Sequence, residues 1–191
     1  MRTIVFMLLL VSNVAAAQDR TDEGPFSTIE VRAGGSYNVN RNNIHDYWQP
    51  GYGGELSFAT PFYLGIAEAG GAYHRYDVAD PSAPRFDAIL AFVGWGIPLS
   101  PSRYVSWYNG FRLGNNRMTF DEDTFAGIQT ESEFMLEVNS SLHLRLPQGV
   151  GIFGSARFSQ TYTFVRFRTI YVTAGISYRT PSPRWLRTLL Q

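Results

Sequence analysis

The chain has 191 residues, with sixteen basic and sixteen acidic side chains, 15% aromatic and 17% charged residues, and no cysteine; every basic residue is arginine. The charge balance argues against a nucleic-acid binder, which carries a net basic patch, and the aromatic content argues against disorder. Beyond the N-terminus no stretch has the eighteen or more apolar residues of a spanning helix, so the length fits one domain with a full core or one closed barrel.

The first element is an address. Arg2 gives a positive start, residues 4–11 are an apolar run, and Ala15-Ala16-Ala17 is a small-residue cleavage site. This is the three-part pattern of a secretory signal peptide. Residues 1–17 are therefore expected to be removed, leaving a chain that starts at Gln18 with fifteen arginines against sixteen acids. An exported chain without cysteine forms no disulfides. Residues 18–25 read as a polar, flexible lead.

From Phe26 onward the dominant period is two. The clearest case is residues 134–146, where Phe134, Leu136, Val138, Leu142, Leu144 and Leu146 share one face with Ser140 as the only polar interruption. Glu137, Asn139, Ser141, His143 and Arg145 lie on the other face, with Met135. A helix would spread these charges around its circumference, whereas a strand separates them. Similar alternation runs through residues 29–39, 52–58, 63–74, 105–113, 150–159 and 170–179. It is weaker in the third of these, where Leu64 and Ile66 fall on the polar side. Residues 88–99 are apolar on both faces. Eight strands result. Thr60-Pro61, residues 98–103 and residues 147–149 read as short Pro/Gly turns. Residues 40–50, 79–85 and 121–132 read as longer polar loops, and the last connection, near residues 163–167, is short.

Eight antiparallel strands can close without edges. A soluble barrel faces its apolar side inward, and a membrane barrel faces it toward lipid. The polar faces carry Glu30, Glu55, Glu68 and Glu137 with Arg32, Arg112, Arg145 and Arg157, four acids against four bases, while the opposite faces of the strand cores carry no charge. An eight-stranded barrel has an interior just filled by side chains, and charges buried there must be paired. Equal counts satisfy that requirement, so these eight residues are expected to form a lumen charge network, with Arg112, Glu137 and Arg157 on successive strands forming one ladder. Tyr37, Tyr52, Tyr63, Tyr73, Trp95, Trp107 and Tyr178 lie on or near the ends of the apolar faces, where a membrane interface favours aromatics. An even strand count puts both termini on the periplasmic side, with short turns there and longer loops outside.

Over residues 26–180 this architecture resembles the small eight-stranded outer-membrane barrels of the OmpA/OmpX type. The resemblance rests on pattern, not on a motif. It implies an all-β fold: an eight-stranded antiparallel transmembrane β-barrel with short periplasmic turns and longer outer loops. It also implies contact with outer-membrane lipids, lipopolysaccharide and the barrel-assembly machinery. Many such barrels end at an aromatic residue in the last strand; here Tyr178 is followed by a tail, residues 181–191, that reads either as a short amphipathic helix with Trp185 toward the membrane or as a frayed end.

Chemistry is sparse. No pair among His45, His74 and His143 has metal-ligand spacing, no nucleophile elbow is present, and neither a metal nor a cofactor is expected. Outer-membrane lipid A deacylases carry a His-x-Ser pair, but Leu144 and Arg145 follow His143. His45, His74 and Ser82 could imitate a triad at the outer mouth, although loop histidines are more often solvated. The acidic loop at residues 121–123 lacks the spacing of a calcium loop. Arg41, Arg75, Arg85, Arg117 and Arg166 are expected near the outer rim, where arginine can meet lipid phosphates. Leu90 and Phe92, with Leu64 and Ile66 adjoining, form a candidate apolar lumen site. The sequence thus points to a non-enzymatic envelope protein with a structural, integrity or surface-interaction role. A binder or conduit for a small hydrophobic ligand is the first alternative, and a lipid A-modifying enzyme the second.

Overall fold

The computed structural model describes residues 24–121, 129–163 and 167–190. The expected signal peptide, most of the lead, two of the three acidic residues at 121–123, and Arg166 lie outside the described residues.

Eight strands follow one another: β1 (Thr28–Asn38), β2 (Trp48–Phe62), β3 (Gly65–Val78), β4 (Phe86–Leu99), β5 (Val105–Phe120), β6 (Thr130–Arg145), β7 (Val150–Thr161) and β8 (Phe167–Pro181). Each pairs antiparallel with its neighbour in sequence, and β1 pairs with β8 to close an eight-stranded barrel. The closing seam runs from Thr28 opposite Pro181 to Asn38 opposite Tyr171. The chain then enters a short helix, α1 (Arg184–Leu190).

The alternation read from the sequence becomes sidedness. Leu56, Phe58, Ile89, Val93, Val138 and Ile176 point out of the barrel and are half or more exposed, while Glu55, Glu68, Arg112, Glu137 and Arg157 point in and are buried. Inward glycines leave room for the long charged side chains. Gly94 lies opposite Arg112, and a Cβ there would come 2.9 Å from Arg112 Cγ.

Strand ends differ from the sequence reading, and three of the differences fall on segments read as turn or loop. β2 begins at Trp48 rather than Tyr52, because residues 48–50 pair with residues 76–78 before a register shift between Pro50 and Gly53. Trp48 is fixed there by donating its indole N–H to the Pro84 carbonyl at 2.7 Å. The turn after β2 is Tyr63-Leu64, not Thr60-Pro61. Pro61 stays in the ladder opposite Ile66, its carbonyl accepts from the Phe26 N–H at 2.8 Å, and Tyr63 makes the turn at φ 48°. β6 starts at Thr130, inside the segment read as loop.

One outer connection folds back over the barrel. A 3-10 turn, Asn43–Asp46, is capped by the Asn42 side chain. It buries Ile44 in an apolar cluster with Ala72, Tyr76, Phe86, Ala88, Leu90, Phe92, Met118 and Met135.

Candidate functional site

The lumen is layered because its residues come from every second position of eight tilted strands. Toward the outer end lies the apolar cluster. Leu90 and Phe92 belong to it, so the doubly apolar β4 divides into an outward face of Ile89, Ala91 and Val93 and an inward face of Ala88, Leu90 and Phe92. Leu64 does not take part: it lies in the β2–β3 turn, 74% exposed. Ile66 is near the opposite end of the lumen, in the wall of the inner mouth. The site read as four adjoining residues is therefore two residues, with partners the sequence did not suggest.

Below this cluster sits the charge network. Arg112 is its hub. It donates to Glu68 at 2.8 and 3.0 Å, to Glu55 at 2.9 Å and to Glu137 at 2.9 Å. Arg157 pairs with Glu55 and lies 3.7 Å from Glu137. Arg112 and Glu137 are directly opposed across β5 and β6, and Arg157 follows on β7, so the three neighbouring strands supply one connected set of charges. The Arg112 guanidinium also lies 4.2 Å from the Phe92 ring centroid, so the apolar and ionic layers meet at a cation–π contact.

Toward the inner mouth Arg32 pairs with Glu30 at 3.0 Å and with Glu68 at 3.6 Å. The expected Arg145 ends β6 and lines the inner-mouth cavity. Arg179 of β8, not among the eight expected residues, reaches Glu30 at 3.2 Å. Arg179 stands on the inward face of its strand, so the alternation already held the signal. Glu30, Glu55, Glu68 and Glu137 thus share the middle and inner lumen with Arg32, Arg112, Arg157 and Arg179. In a low-dielectric interior such pairs are tolerated only with their hydrogen bonds made.

The histidines of the expected outer-mouth set have other partners. His74 is fully buried; its Nε2 lies 2.9 Å from Ser36 Oγ, and its ring stacks on Tyr171 at 4.2 Å. His45 bonds through Nε2 to Asn38 Oδ1 at 3.0 Å. Ser82 donates its backbone N–H to Asp80, in a turn that holds the Asp80 carboxyl below its ordinary pKa. The triad read from His45, His74 and Ser82 is not assembled, because the strand phase sends His74 into the lumen.

A different arrangement escaped the sequence reading. Ser141 Oγ lies 2.9 Å from His143 Nε2, and His143 Nδ1 lies 3.3 Å from Glu30 Oε1. Ser-x-His on a strand puts both side chains on one face, but Glu30 comes from the far side of the sequence. The inner-mouth cavity of about 110 Å³ is lined by Glu30, Ser106, Tyr108 and His143. Ser141 lies one step deeper, opposite Tyr108. A molecule in the cavity would meet the imidazole and not the hydroxyl, so this set acts as an extension of the ion network.

No protein-family model and no curated protein matches the chain. Among solved structures, the fold is similar to Neisserial surface protein A (15% identity over 82% of this chain and 99% of that one, TM-score 0.59). It is similar to the attachment invasion locus protein Ail of Yersinia pestis (16%, 81% and 99%, TM-score 0.52). It is also similar to the outer membrane protein OprG of Pseudomonas aeruginosa (12%, 82% and 97%, TM-score 0.53). The fold is thus that of the small eight-stranded barrels of the outer-membrane type, and at these identities the likeness speaks to fold alone.

Proposed function

We propose that this chain is an exported outer-membrane β-barrel with a non-enzymatic role in envelope structure, envelope integrity or surface interaction. The observation that carries the proposal is the inverted sidedness: a belt of exposed Leu, Ile, Val and Phe surrounds a lumen of paired charges. In water that arrangement would expose the apolar surface and bury the charges, against both preferences; in a bilayer both are satisfied. The resemblance to outer-membrane barrels points the same way. Outer-membrane lipids, lipopolysaccharide at the outer rim and the assembly machinery are the partners this reading calls for.

A second reading, a binder for a small hydrophobic molecule, is favoured by one feature: the apolar cluster around Leu90 and Phe92, closed from above by Ile44. Replacing Leu90 or Phe92 with Gln would reduce uptake or retention of an apolar probe under that reading and leave it unchanged under the first.

The test of the main proposal is membrane fractionation followed by gel mobility with and without boiling. Outer-membrane recovery with a heat-dependent shift is the expected result. Recovery in the soluble periplasm would reverse the assignment of the two faces.

A further inference from the structure

From Trp107 to Leu113 on β5 and from Leu144 to Leu136 on β6, the lipid-facing positions are apolar except at Asn109 and Ser140. The two are directly opposed across the strands. Their row continues to Ile97 on β4 and Ala156 on β7. Asn109 is four residues on from Val105, where β5 begins. At about 3.3 Å per residue and a strand tilt of about 40°, it lies roughly 10 Å along the membrane normal from that end. Leu142 and Leu144, both outward and well exposed, stand between Ser140 and the same end. The pair therefore sits within the apolar belt and not at its rim.

Their hydrogen-bonding capacity is not used up within the chain. Thr60, a hydroxyl elsewhere on the barrel wall, donates to the Thr28 carbonyl at 2.8 Å. Ser140 Oγ accepts the Trp107 indole N–H at 2.8 Å, which leaves its own O–H without an acceptor among the described residues. The Asn109 amide makes no hydrogen bond among the described residues. Facing water, such an amide would be solvated. Facing hydrocarbon, its two N–H donors and its carbonyl have no water to meet, and leaving them unpaired is costly. Acyl chains at this depth offer no hydrogen-bonding group, so the missing partner comes from protein. A second copy supplies a matching set. An amide donates and accepts at once, so two copies related by a two-fold axis along the membrane normal complement each other. The small, exposed Ala156 beside Ser140 leaves the approach open.

We propose that the β5–β6 wall, centred on Asn109 and Ser140, is the interface of a homodimer within the bilayer. The Asn109 amide of each copy bonds the same amide and the Ser140 hydroxyl of the other. The inference rests on the outer-membrane reading above, because only a lipid environment leaves these groups without water. It assigns a partner, a second copy of this chain, to one face of a wall that otherwise meets only lipid.

The chain has no cysteine, so one introduced cysteine reports proximity without background. Leu142→Cys lies on the proposed interface and Leu56→Cys on β2, on the opposite side of the barrel; the two leucines are equally exposed. Each full-length variant is folded into vesicles of phosphatidylcholine and phosphatidylglycerol, checked for its heat-dependent gel shift, and oxidised at increasing dilution in lipid. Leu142→Cys is expected to give a crosslinked dimer at dilutions where Leu56→Cys stays monomeric. Adding Asn109→Leu to Leu142→Cys is expected to weaken association about tenfold, as the loss of two hydrogen bonds in a membrane implies. The gel shift should remain, because leucine suits the apolar wall. Asn109→Gln keeps the amide and is expected to retain more of the dimer than Asn109→Leu does. Equal crosslinking of the two cysteine variants overturns the proposal, since it would reflect random collision. A dimer unchanged by Asn109→Leu also overturns it, because another face would then hold the copies together. A heat-shifting barrel that stays monomeric sinks this inference alone, whereas a chain that neither inserts nor shifts sinks the outer-membrane reading with it.

Discussion

Arg112 is the most informative residue to remove. Its guanidinium bonds three carboxylates, those of Glu55, Glu68 and Glu137, and its side chain is 5% exposed. Arg112→Met keeps much of the length and volume but leaves four lumen glutamates facing Arg32, Arg157 and Arg179. Breaking a buried ionic set by removing one partner costs about 3–5 kcal/mol. With a urea slope of about 2 kcal/mol per M, that corresponds to a midpoint lowered by roughly 1.5–2.5 M. The assay is tryptophan fluorescence of the vesicle-inserted barrel against urea. Adding Glu68→Gln to the same chain removes one of the carboxylates left without Arg112, so the double variant is expected to regain about half or more of the loss. Arg75, 3.5 Å from Asp77 with both side chains about half exposed, is the control. Arg75→Met should cost about 0–1 kcal/mol. An unchanged midpoint for Arg112→Met, or a Glu68→Gln change that deepens the loss, would refute the view that paired charge holds the lumen together.

Three further outcomes test other parts of the structure. Val93 points outward from β4 and is 62% exposed; Val93→Arg should destabilise the inserted barrel by about 2–4 kcal/mol, as a cation near the bilayer midplane does, and reduce refolding yield into vesicles, whereas a water-facing site would tolerate it. Ile44→Ala should cost about 2 kcal/mol by opening space above Leu90 and Phe92, and increased uptake of an apolar dye by the folded variant would show that the space is accessible. Gly53→Ala places a methyl against the His74 ring and the Tyr73 carbonyl; the expected cost is about 1–3 kcal/mol, and an unaltered thermal midpoint would mean that β2 can move away from His74.

How much of this was legible in the sequence depends on how local each determinant is. The two faces of β6 follow from residues 134–146 alone, because period two needs only neighbours. The pairing of Arg112 with Glu137 needs one hairpin, and its register is set by two alternating strands that must keep their apolar faces together. The partner of Glu30 needs the closing seam, which brings Arg179 beside a residue 149 positions earlier. No local pattern encodes that distance, although the alternation does put Arg179 on the inward face of its strand. The turn at Tyr63-Leu64 was misplaced for another reason. Thr60-Pro61 has turn composition, but the Pro61 carbonyl is taken by Phe26, which extends the strand by two residues and carries Leu64 out of the lumen.

The same seam logic decides where activity can reside. Strand phase draws His74 and His143 inward, and the burial of Arg112, Glu137 and Arg157 closes the middle of the lumen. The inner-mouth cavity of about 110 Å³ is lined by Glu30 and Arg32 of that network, and the outer end is filled by Ile44 and its neighbours. A molecule crossing the barrel would have to separate at least one carboxylate from Arg112 and leave both groups desolvated, a cost comparable to the 3–5 kcal/mol estimated for losing a buried partner. On the reading proposed above, the lumen acts as a pillar and recognition falls to the outer loops, the two rims and the lipid-facing wall. Those are the surfaces where substitutions should change what the protein binds without changing whether it folds.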